Sequence, residues 1–123
     1  ALTDSIDVNA QPWDPVFSPD GQFVYFGNKG SHTVTIVDMK ARAVKSVVKG
    51  NGIAQPHGSA MSADGKYLYI SNNNRQGTYM ANESASANEQ PGTITVINTE
   101  TGEITKVIEV GDYPSGIGTN ARW

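Results

Sequence analysis

Two histidines, His32 and His57, are the residues of this chain best suited to metal chemistry, since a neutral imidazole ligates copper, zinc or haem iron. His57 stands in Pro56-His57-Gly58 and is the stronger candidate; the plainer alternative is an imidazole that bonds a neighbouring backbone group. A zinc centre takes three or four protein ligands, so two separated histidines do not complete one. Cysteine is absent, which excludes disulfides, thiolate metal sites, iron–sulfur ligation and covalent attachment of c-type haem. Asp20 and Asp64 could suggest a carboxylate pair, but each lies in an Asp-Gly turn, where the side chain bonds nearby backbone N–H groups. Neither a Ser-His-Asp order nor a nucleophile elbow nor a Cys-His pairing can be read from the chain. The sequence shows no reaction.

The elements that would position these residues are short and repeated. Residues 12–28 (PWDPVFSPDGQFVYFGN) match residues 56–72 (PHGSAMSADGKYLYISN) at a constant offset of 44, from Pro12 to Pro56. A repeat of roughly 40–50 residues is the period of propeller blades. Thr33-Val34-Thr35-Ile36-Val37-Asp38 matches Thr93-Ile94-Thr95-Val96-Ile97-Asn98 at an offset of 60, so the second unit carries 16 extra residues, at about 74–92. Ser5 to Pro12 matches Val107 to Pro114. These matches divide the chain into 1–11, the last strand of a preceding unit; 12–55; 56–113, with the insertion; and 114–123, the start of another unit.

Each unit reads as four strands. The first ends in an Asp-Gly hairpin turn, and the second (Phe23 to Phe26, Tyr67 to Ile70) is apolar on both faces, as a sheet stacked between two others requires. β-Branched residues dominate the apolar bursts and turn residues interrupt every 8–12 positions, so the expected class is all-β, four-stranded antiparallel sheets, about two full ones with partial ones at each end.

Composition narrows the function. The chain has 123 residues, 37% hydrophobic and 17% charged, with a net charge of −3, which gives no broad attraction to nucleic acid or anionic membrane. No apolar run approaches the roughly 20 residues that cross a bilayer.

At SPDGQFVYFGN, GSHTVTIVDM, SADGKYLYISN and GTITVINTETGEI the sequence resembles the YVTN-type β-propeller repeat of surface-layer-like and periplasmic proteins. The resemblance implies an incomplete arc of a closed, mostly seven-bladed ring, located in the periplasm or at the cell surface. The partners it implies are the remaining blades or other protein chains. Similar repeats also build propellers that bear copper or haem d1, such as nitrous-oxide reductase, thiocyanate dehydrogenase and the haem d1 domain of nitrite reductase. The expected function is therefore a scaffold or binding module; the alternative is a segment of a cofactor-bearing propeller oxidoreductase, with copper or haem in the complete protein.

In such repeats the first strand is innermost, so residues following the opening Pro are expected at the channel rim. Those residues are Trp13, Asp14, His57 and Ser115, with His57 the candidate metal ligand. His32 is expected in a peripheral, solvated loop. In the insertion, Tyr79 and Met80 are apolar handles expected to meet a partner, because a loop of this length is commonly functional or mobile.

Overall fold

A computed structural model describes residues 2–80 and 90–120. Of the expected divisions, residue 1, residues 81–89 of the insertion and residues 121–123 lie outside the described residues. The order is β1 (Pro12–Phe17), β2 (Phe23–Asn28), β3 (Thr33–Asp38), β4 (Ala43–Val48), β5 (Pro56–Met61), β6 (Tyr67–Asn72), β7 (Gly92–Asn98) and β8 (Ile104–Val110). They form two antiparallel sheets, β1-β2-β3-β4 and β5-β6-β7-β8, and the described residues contain no helix. The all-β, four-stranded reading is what the structure shows.

The turns explain the hairpins. Gly21 and Gly65 both take φ 72°, a left-handed conformation that glycine adopts without a Cβ penalty. In each turn a serine hydroxyl, Ser18 or Ser62, donates to the aspartate two residues on. That serine oxygen then accepts the N–H that begins the next strand, from Phe23 or Tyr67, at 3.0 Å. The local sequence thereby sets the register of β1 with β2 and of β5 with β6.

Side chains alternate across each strand, so every sheet has two faces to cover. The shared core lies between the sheets: Tyr25, Val34, Ile36 and Val48 from the first pack against Met61, Leu68, Ile70 and Ile97 from the second. The opposite face of the first sheet carries Val24, Phe26 and Val37, with Ile6 and Val8 packed against them. The corresponding outer face of the second sheet leaves Tyr67 and Ile108 exposed.

The expected strand within residues 1–11 is not formed: residues 2–10 have no sheet pairing. A fourth strand needs a third to complete its ladder, as β4 pairs with β3 and β8 with β7. Here the segment instead anchors through its end, where the carbonyls of Ala10 and Gln11 accept the N–H groups of Gly30 (3.1 Å) and Lys29 (2.9 Å). Residues 113–120 likewise form no strand, yet they run beside β5, with the Thr119 hydroxyl donating to the Met61 carbonyl at 2.6 Å.

Candidate functional site

Three times the chain turns sharply just before a proline. Gln11, Gln55 and Tyr113 take φ of 57°, 55° and 52°, immediately ahead of Pro12, Pro56 and Pro114. Left-handed backbone is unfavourable for residues with a Cβ, so a threefold recurrence means that the surroundings impose it. The kink aims the residue after each proline, Trp13, His57 or Ser115, toward one common edge.

These residues do meet. The Trp13 and His57 rings lie 5.4 Å apart between centroids, tilted at 48°. His57 Nδ1 lies 2.6 Å from the Ser115 carbonyl oxygen. That oxygen can only accept, so Nδ1 carries a proton, and in the neutral imidazole Nε2 then presents the lone pair. Asp14, at φ 48° within a register shift of β1, directs Oδ2 across the sheet boundary to accept the Ser59 N–H at 3.2 Å. Gly58 must be glycine for a packing reason: a Cβ there would stand 2.8 Å from Ser71 Oγ and 3.2 Å from the Gly116 Cα. Only that close approach lets residues 114–117 pass beside His57.

Between Trp13 and His57 lies a hollow of about 380 Å³, lined also by Gln11, Pro12 and Lys29. Sequence comparison missed Lys29 and Gln11 as members of the site. The signal was available, since Lys29 directly follows the repeated strand that ends in Asn28, but only the fold brings that strand end beside Pro12. Trp13 also lines a second, apolar hollow of about 410 Å³ on the open face of the first sheet, with Ile6, Val8, Phe17 and Phe26.

The residues present do not make a copper or haem ligand set. Among the described residues no three His, Asp, Glu or Cys side chains cluster as metal ligands. His57 offers one nitrogen, and the neighbouring Lys29 ammonium would repel a metal cation.

Other expected positions are revised. His32 is half-buried, not solvated: its Nδ1 accepts the Gln55 N–H at 3.0 Å, tying the β2–β3 loop to the link between the sheets. Tyr79 is buried, not an outward handle. Its hydroxyl donates to Glu109 at 2.9 Å; burial, then that hydrogen bond and the Glu109 charge, raise its phenol above the ordinary 10.0. Met80 is exposed. Asn74, fully buried, holds the base of the insertion together by accepting the Tyr79 N–H (2.9 Å) and donating to the Pro91 carbonyl (2.9 Å). Asp20 and Asp64 serve their own turns, as read from the sequence.

No protein-family model matches the chain, and no curated protein matches it. Solved structures do. Hydrazine synthase from Kuenenia stuttgartiensis is 28% identical with a TM-score of 0.71, over 94% of this chain and 28% of that one. The Swd1 (Cps50) β-propeller domain from Myceliophteria thermophila superposes at a TM-score of 0.68 and 14% identity, over 91% of this chain and 30% of that one. The two sheets are β-propeller blades. A eukaryotic initiation factor shares the arrangement at a TM-score of 0.59 and 19% identity, over 83% of this chain and 22% of that one. The chain thus spans less than a third of each of these three structures. Among the described residues no helix is long and apolar enough to cross a membrane.

Proposed function

We propose that this chain is an arc of a closed YVTN-type propeller that serves as a scaffold or binding module in the periplasm or at the cell surface. The observation that carries the reading is the equivalence of its faces. The outer face of blade one (Phe17, Val24, Phe26, Val37), covered in part by Ile6 and Val8, occupies the same repeat positions as the face of blade two buried against blade one (Met61, Leu68, Ile70, Ile97). The open face of blade two (Tyr67, Tyr69, Val96) corresponds in turn to the face that blade one buries (Phe23, Tyr25, Ile36). Each outer face thus has a counterpart that packs against a blade within this chain, and the apolar side chains it leaves exposed, Phe17 and Tyr67, call for a partner.

Native mass spectrometry with small-angle scattering of the full-length protein tests the proposal. A closed ring, built from one chain or from a complex, is expected. A stable monomer holding only these two blades would overturn it. Cell fractionation tests the location, and protein confined to the cytoplasm would refute that part.

A second reading places the arc in a cofactor-bearing propeller oxidoreductase, and it draws on the 28% likeness to a protein named as an enzyme. The scaffold reading is preferred because the rim offers one imidazole beside a lysine. An absorption spectrum of the full-length protein separates the two: a copper or haem band supports the enzyme.

A further inference from the structure

The hollow between Trp13 and His57 has a chemical character that a scaffold does not require. Its one charged group is Lys29, half-buried at the end of β2, with its own N–H already donated to the Gln11 carbonyl at 2.9 Å. Among the described residues no carboxylate lines the hollow and the ion pair is Arg42 with Asp4, so Lys29 has no ion-pair partner among them. Asp14, adjacent in sequence to Trp13, would be the natural partner. Its oxygen is instead directed to the Ser59 N–H by the register shift in β1. A second wall is the Trp13 indole, 55% exposed and therefore offering aromatic surface. The third feature is His57, whose Nδ1 donates to the Ser115 carbonyl, which leaves Nε2 of the neutral imidazole as the acceptor.

We propose that this hollow binds a small organic carboxylate with a flat apolar body and a hydrogen-bond donor. Lys29 takes the carboxylate in a charge-assisted hydrogen bond, the Trp13 face takes the flat body, and His57 Nε2 accepts the donor. The volume of about 380 Å³ suits a ligand of this size, near the lower end of the roughly 300–1,000 Å³ of small-molecule pockets. A phosphate fits less well. A phosphate dianion is held by several converging donors, and here one ammonium stands beside a lone-pair nitrogen, while the Lys29 backbone N–H is already used.

The inference goes beyond the scaffold reading and needs the rim geometry alone, not ring closure. Tryptophan fluorescence of the full-length protein, titrated with para-hydroxybenzoate, tests it. A saturable quench is expected, absent in Trp13→Phe. Affinity should fall by about tenfold in Lys29→Met, the loss of one charge-assisted hydrogen bond, and be largely retained in Lys29→Arg. Phenol, which lacks the charge, and inorganic phosphate, which lacks the flat body, should not compete. No quench, a quench unchanged in Lys29→Met, or equal competition by phosphate would overturn the proposal. A protein that forms a closed ring yet ignores para-hydroxybenzoate sinks this inference and leaves the arc intact; binding without a ring does the reverse.

Discussion

In blade two, Asn72 is fully buried and each polar atom of its amide is bonded. Its Nδ2 donates to the Ile70 carbonyl (3.1 Å) and Thr95 Oγ1 (3.0 Å), and its Oδ1 accepts the Ala54 N–H (3.2 Å). Thr93 and Thr95 pass their own protons to the Gly52 carbonyl, at 2.6 and 2.9 Å. Asn28 is the same residue at the same place in blade one, equally buried, and its Nδ2 reaches Thr33 (3.1 Å) and Thr35 (2.7 Å). Its Oδ1, however, has no partner. The segment that would supply one lies a little differently, with Asn9 donating its side-chain amide to Thr33 instead. The lesson concerns what holds a link in place. Residues 52–54 hang between β4 and β5, both paired in ladders, so their backbone groups are carried to fixed points. Residues 2–10 have a ladder at one end only.

The comparison can be broken at its largest effect by emptying the two leading faces in this chain. Leu68→Ala removes a fully buried side chain from between the blades and is expected to cost about 2–5 kcal/mol. Val24→Ala, on the outer face of blade one where only Ile6 and Val8 from residues 2–10 pack, should cost about 1–2 kcal/mol. Urea denaturation measures both. Equal costs would mean that the open face is as enclosed as the inner one.

A smaller effect sharpens it. Asn72→Ala strands the Ala54 N–H and should destabilise by about 1–3 kcal/mol more than Asn28→Ala, whose oxygen already lacks a donor. If a preceding blade supplies that donor in the full-length protein, the difference should vanish there. A difference that persists in a closed ring would show that the two asparagines are not equivalent.

The smallest effect lies in the turns, where the blades should behave alike. The Ser18 hydroxyl, then the Gln22 N–H, hold Asp20 below the ordinary 3.8; the Lys66 N–H, then the Ser62 hydroxyl, do the same for Asp64. A depressed folded value stabilises the fold above about 3.8, and the contribution is lost as pH falls through the lower folded value. Asp20→Asn and Asp64→Asn should therefore flatten the acid limb of a stability–pH profile slightly and equally. Unequal flattening would show that blade context reaches these exposed turns.

Much of this was legible in the residues. The Ser-x-Asp-Gly turns and the Thr-x-Thr strands carry their own hydrogen-bonding and pleating rules, so their repetition predicts two four-stranded sheets. The gathering of Trp13, His57 and Ser115 follows from that repetition too. The position of Tyr79 did not, because an aromatic residue in a polar insertion reads as a handle until Glu109, thirty residues on, takes its hydroxyl. The burial of His32 is illegible for a similar reason: its partner is the backbone of Gln55, 23 residues away.

Strand positions, hairpin turns and recurring sites can be read along the chain, because they depend on neighbours within a few residues. Which buried asparagine is satisfied, where Tyr79 points and that Lys29 joins Trp13 and His57 around one hollow emerge only from long-range packing. Those outcomes depend on where a distant stretch of backbone comes to rest, and nothing in the local pattern specifies that distance.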